Sequence, residues 1–236
     1  EQVKEMLKTN QKGQVANIPG NYKIIFLHDP VLKGAFSMNL LTEQIDVVKP
    51  LPWYRDSVAL TDVDLQYLIL YLDENYQLST DKRIDGIIKV AANEYRRHPI
   101  REYLARLQWD GQTRIRYALH HFLGAEISDY HYEVLLLFML GAISRVFHPG
   151  IKFDVMLCLV GGQGIGKSTF FRFLAVKDDW FSDDMQKLDD ENIFRKLQGH
   201  WIIEMSEMIA TANAKSIEYI KSFLSRQKEI YKTPYD

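Results

Sequence analysis

Over the first sixty residues the apolar positions of this chain keep no steady period. Patches such as Tyr22–Leu27 carry residues that favour strands, and turn signals stand at Pro19-Gly20, Asp29-Pro30 and Pro50-Leu51-Pro52. They predict a small mixed α/β segment over 1–60. From Thr61 the spacing becomes helical. Thr61 suits an N-cap, with Asp64 three residues on, and Leu65, Leu68, Ile69 and Leu72 follow on one face. A second helix is expected from about 79–81, with Ile84, Ile87, Ile88, Ala91 and Tyr95 recurring, and it must stop before Pro99. Pro99 suits the first turn of a third, with Leu104 and Leu107 inward. A fourth carries Ile115, Ala118, Leu119 and Phe122 and ends at Gly124, and a buried helix follows at about 131–147. These predict a helical domain over 61–150.

After the Pro149-Gly150 turn the pattern changes again. Val155–Val160 is wholly apolar, as a buried parallel strand would be, and runs into Gly161-Gly162-Gln163-Gly164-Ile165-Gly166-Lys167-Ser168-Thr169. The spacing from Gly161 is G-x-x-x-x-G-K-[ST]. Glycines let successive backbone N–H groups turn inward on phosphate oxygens. Lys167 would reach the β- and γ-phosphates, and the Ser168 hydroxyl would meet Mg²⁺. A helix starting near Lys167 adds its positive end to the same anion site. The expected ligand is ATP with Mg²⁺, and the expected fold an α/β P-loop domain over 151–236.

Such a loop needs an acid at the end of a neighbouring strand. His200–Met208 reads HWIIEMSEM, with Trp201-Ile202-Ile203 preceding Glu204 and Glu207. Glu204 is expected in the Mg²⁺ shell and Glu207 at the attacking water, and the two roles are exchangeable. Asp178–Glu191 contains seven acids and one lysine; like charges repel, so it reads as a solvated loop.

Composition narrows the partners. The formal charge is −2, which excludes a bulk-basic nucleic-acid binder and leaves local patches. Arg96, Arg97, Arg101, Arg106, Arg114 and Arg116 form one. Lys215, Lys221, Arg226, Lys228 and Lys232, interleaved with Tyr219, Phe223, Tyr231 and Tyr235, form another. Cations beside aromatics are what single-stranded DNA binding uses; ordinary helix surface with core-facing aromatics is the alternative. The single cysteine, Cys158, lies in the apolar run and is expected buried, which suits a reducing cytoplasm. Val134–Ile143, the longest apolar run, is ten residues and too short for a bilayer, so no membrane partner is expected. The chain opens without methionine and stops in mid-pattern, as a piece of a longer protein would.

The strings HPIREYLARLQWDGQTRI (98–115), GGQGIGKST (161–169), Trp180-Phe181-Ser182-Asp183, GHWIIEMSEM (199–208) and IKSFLSRQKEIYKTPYD (220–236), in this order, resemble the virulence-associated protein E family. These are replication proteins of phages and genetic islands, similar to superfamily-3 helicases. The resemblance implies an AAA+-like ATPase, truncated here on its C-terminal side, that assembles into a ring and translocates on single-stranded or origin DNA. The helical domain would be its oligomerisation collar, and a primase is a further partner to consider. Gly161–Thr169 becomes the Walker A loop, Glu204–Glu207 the Walker B acids, and Lys221, Arg226, Lys228 and Lys232 DNA contacts near the pore. The acids are spaced E-M-S-E rather than adjacent. The chain also ends before the sensor asparagine and arginine finger of such motors, so poor hydrolysis is expected of this piece.

The leading reading is therefore an ATP-dependent DNA helicase or translocase. One rival is an ATP-gated module that grips a replication protein without catalysis. A P-loop kinase of small molecules is another, which the acid-rich 178–191 suits badly.

Overall fold

The computed structural model describes residues 2–78, 84–185, 196–206 and 214–225, and of residues 214–217 and 219 only the helical backbone. Helices dominate it. The chain divides into two compact units, residues 1–99 and 100–236. The stretch 61–150 contributes helices to both.

The first unit holds α1 (Gln2–Glu5), α2 (Pro19–His28), a hairpin of β1 (Phe36–Asn39) and β2 (Gln44–Val47), α3 (Asp62–Tyr76) and α4 (Ile84–Asn93). β1 and β2 run antiparallel, with Phe36 opposite Val47 and Asn39 opposite Gln44. Tyr22, Ile25, Phe26, Phe36, Leu68, Leu72 and Ile88 meet in one core. The 22–27 patch is thus helical, not the strand its residue types favour. Pro19 opens the helix at its first turn, where the missing N–H costs nothing. A short apolar run cannot be told from a buried helix by periodicity, and this one buries Asn21 and Tyr22 as well as Ile25 and Phe26. The Asn21 amide bonds Lys8 in both directions, pinning the segment before it.

α3 begins as its sequence predicts: Thr61 and Asp64 form a reciprocal capping box. α4 is described from Ile84 and ends at Asn93, so Tyr95 lies beyond it, in a turn held by the Tyr95 N–H on the Ala92 carbonyl.

The second unit begins with α5 (Pro99–Ala105), which opens at the boundary, and continues through α6 (Ile115–Leu123) and α7 (Asp129–Phe147) to α8 (Lys167–Leu174). A 3-10 turn, Asp178–Trp180, leads into β3 (Phe181–Ser182); β4 (Ile202–Ile203) and α9 (Ala214–Ser225) follow. α5 buries Ile100 but leaves Leu107 exposed beyond its end, against the inward position expected for it. α6 stops at Gly124, whose φ of 69° needs no Cβ, and whose N–H returns to the His120 and Leu119 carbonyls. α7 is capped by the Ser128 hydroxyl, which accepts the His131 N–H. Leu119, Leu135 and Phe170 centre the packing of α6, α7 and α8.

At 19 residues α7 is the described helix long and apolar enough to cross a membrane by length and composition. It is not the buried helix expected at about 131–147: Leu135, Gly141 and Val146 are buried, while Tyr130, Leu137, Leu140 and Phe147 are exposed. β3 and β4 pair in parallel, Phe181 beside Ile202.

Val155–Val160 does not form the buried strand expected of it. It joins no ladder among the described residues. Leu157 and Leu159 are half-buried against the α6–α8 cluster, while Val155, Met156, Cys158 and Val160 are exposed. Cys158 is accordingly exposed rather than buried, because nothing described covers the outer side of this run.

Candidate functional site

Gly161 to Thr169 closes a turn into the N-terminus of α8. Gly164 and Gly166 have φ of 81° and 90°, a left-handed backbone that L-residues avoid. Gly166 is the N-cap and has no side chain to cap with, so it leaves the first-turn amides of α8 open to water or an anion. The loop is shaped around Lys167. Its Nζ donates to the carbonyls of Gly161 at 3.0 Å and Gly162 at 2.7 Å, which holds the cation over the loop's own backbone.

The acid arrives from β4. Trp201 N–H bonds the Trp180 carbonyl and Glu204 N–H the Ser182 carbonyl, each at 2.8 Å, so the end of the β3–β4 pair fixes the Glu204 backbone. Across 36 positions of sequence, Ser168 Oγ donates to Glu204 Oε1 at 2.7 Å. The other oxygen, Glu204 Oε2, is buried and has no hydrogen-bond partner among the described residues. A buried carboxylate oxygen left bare costs free energy on the order of 1–3 kcal/mol or more. A hydroxyl and a carboxylate in contact, with one oxygen unused, form a hard oxygen donor set of the kind Mg²⁺ takes together with phosphate oxygens and water. Ser168 and Glu204 therefore fit the ion expected of them.

Other predicted residues sort unevenly. Glu207, Arg226, Lys228 and Lys232 lie outside the described residues, as does the side chain of Lys215. Lys221 is exposed on α9 and pairs with Glu218 at 3.2 Å. Phe223 packs with Ile220 against Met185, Leu197, Ile203 and Met205, so it serves a core, as the alternative for this stretch has it. The arginine-rich stretch is largely spent on internal bonds. Arg97 reaches Asp46, Arg101 the Val146 carbonyl, Arg114 Asp110, and Arg116 both Asp129 and the face of Tyr132.

Of the acid-rich run, Asp178 and Asp183 flank Arg172, and Asp184 meets Lys196. No group of three or more His, Cys, Asp or Glu among the described residues is placed to hold a metal. A cavity of about 630 Å³ lies along α6, α7 and the 153–160 run and reaches Ile165 and Lys167.

The model of the virulence-associated protein E-like domain matches residues 104–236, more than half of the chain. The chain belongs to this family. The match takes in the loop, Glu204 and α9 together, so every contact of the site lies inside the virulence-associated protein E-like domain. Compared with the curated proteins, the chain finds no match.

Sequence reasoning missed the contacts of Trp201 with the Ala142 carbonyl and of Phe153 with Gly141. The apolar Trp201-Ile202-Ile203 run marked the strand but not the indole N–H that anchors it.

Proposed function

We propose that this chain binds ATP with Mg²⁺ through Gly161–Thr169 and Glu204, and acts within a replication protein of a phage or mobile genetic island as a DNA helicase or translocase. The observation that carries this reading is the Ser168–Glu204 hydrogen bond beside an unpartnered Glu204 oxygen. It supports the reading because it sets the residue after Lys167 against the acid expected from a neighbouring strand. Membership of the virulence-associated protein E-like family supports the replication context.

In this mechanism the loop amides and the α8 N-terminus take the phosphates. Lys167 leaves the Gly161 and Gly162 carbonyls for the β- and γ-phosphate oxygens, exchanging two neutral acceptors for charged ones. Ser168 and Glu204 hold Mg²⁺, whose chemistry is to neutralise charge developing on the transferred phosphoryl. Glu207 orients the attacking water. Lys221, with Arg226, Lys228 and Lys232, carries the DNA.

Because this piece alone is expected to hydrolyse ATP poorly, the test is ATP hydrolysis by a version extended past Asp236, with and without single-stranded DNA, beside its Lys167→Ala variant. Stimulation by DNA that disappears in the variant is the expected result. Nucleotide binding without any DNA-dependent turnover would favour the ATP-gated module. Unchanged nucleotide affinity in Lys167→Ala would remove the loop from the account altogether.

A further inference from the structure

We propose that one turn of α7, Gly141–Arg145, sets the spacing between the phosphate loop and Glu204, with Trp201 as its positioning residue on the metal side. This inference rests on reading the site as one for ATP and Mg²⁺.

Two anchors converge on that turn. Phe153 stands at the start of the segment leading into the loop. Its ring occupies the space where a side chain at Gly141 would be, and a Cβ there would overlap it. Arg145 Nη2 adds a hydrogen bond to the Phe153 carbonyl at 3.2 Å. From the other side, Trp201 Nε1 donates to the Ala142 carbonyl at 3.1 Å, three residues before Glu204. The Trp201 ring also meets Trp180 edge-on, with centroids 6.2 Å apart. The segments bearing Ser168 and Glu204 are thus both fastened to neighbouring residues of one helical turn.

Neither segment is held by an extended sheet of its own among the described residues. The 155–160 run has no strand partner among the described residues, and β4 pairs over two residues only. α7 is a 19-residue helix with its own backbone bonds, and it is a frame that both segments touch. Position matters here because Mg²⁺ demands near-octahedral oxygen ligands at about 2.0–2.1 Å. An ångström of slip at Glu204 would leave phosphate binding at the loop intact and spoil the metal. Partners that orient metal ligands typically weigh about 10–100-fold in metal affinity.

The experiment titrates a fluorescent ATP analogue into wild type and Trp201→Phe, first in EDTA and then across a Mg²⁺ series. Phe keeps an aromatic ring and removes the N–H. The expected result is metal-free affinity within about twofold of wild type, while the Mg²⁺ needed for half of the metal-dependent tightening rises about tenfold. Identical Mg²⁺ dependence would overturn the proposal. So would an equal loss of affinity with and without metal, which is what general damage to the fold produces. If Trp201→Phe does not fold, Arg145→Met tests the opposite anchor with the same readout and the same two overturning results. A wild-type chain that binds no nucleotide in either condition would instead sink the reading of the site, so the two failures are distinct.

Discussion

Asp64 is a residue whose surroundings decide its charge. Its carboxylate accepts from Arg55 Nε at 2.7 Å, Arg55 Nη2 at 3.0 Å, Trp53 Nε1 at 2.9 Å and the Thr61 N–H at 2.9 Å, and its side chain is 5% exposed. Burial by itself would raise the carboxyl; the bonds from Arg55, Trp53 and Thr61 outweigh it and hold it well below its ordinary value of 3.8. A depressed folded-state value stabilises the fold above pH 3.8, and that stability is lost as pH falls below it. Acid below that point should therefore loosen the first unit. Asp64→Ala strands the nearly buried Arg55 and opens the capping box, and should cost about 3 kcal/mol at pH 7. Urea titrations at pH 7 and pH 3 check both, with the gap between wild type and variant narrowing in acid. Equal midpoints at pH 7 would refute the assignment. This cap was legible in sequence because it is local: a Thr and an Asp three positions apart need no knowledge of the fold. Glu204 drew notice for another reason, since the P-loop spacing asks for an acid on a nearby strand, and its contact with Ser168 is what the structure adds. Its unpartnered oxygen was not legible, because burial and satisfaction belong to the folded molecule.

At the scale of elements, ends proved more readable than interiors. Gly124 stops α6 in a left-handed turn with no atom within 4 Å of where a Cβ would stand. Gly124→Ala thus meets no steric neighbour and bears only the backbone penalty, about 1–2 kcal/mol. Thermal unfolding of the second unit should shift downward by a few degrees; an unshifted transition would mean that α6 ends some other way. Interiors depend on what packs against them. Tyr22–Leu27 has the composition of a strand and the burial of a helix, and Pro19, read only as a turn signal, was the residue that marked its start. Val155–Val160 has the composition of a buried strand, yet a strand is defined by a ladder, and the partner for one is not written in six residues. The same holds for α7, whose small Gly141 is explained by Phe153 rather than by any feature of its own helix.

At the scale of the whole molecule, charge decides how DNA could be held. A net charge of −2 supplies no general attraction to phosphate, and most of the arginines of the 96–116 stretch are engaged within the protein. Any binding must come from a few cations, so its salt dependence should be shallow, near one unit of slope for each phosphate contacted. Lys221 is the described member of that set whose side chain faces water, and its ion pair with Glu218 is exposed and worth little. Exchanging Glu218 for a phosphate therefore costs little. Lys221→Ala should weaken single-stranded DNA uniformly across sequences and reduce the slope of log affinity against log salt by about 1. Fluorescence anisotropy with a labelled oligonucleotide, from about 50 to 200 mM salt, reads both quantities. A lower affinity with an unchanged slope would make Lys221 a surface residue whose loss disturbs α9. An unchanged affinity would return the whole 214–225 helix to its packing role, already visible in Ile220 and Phe223.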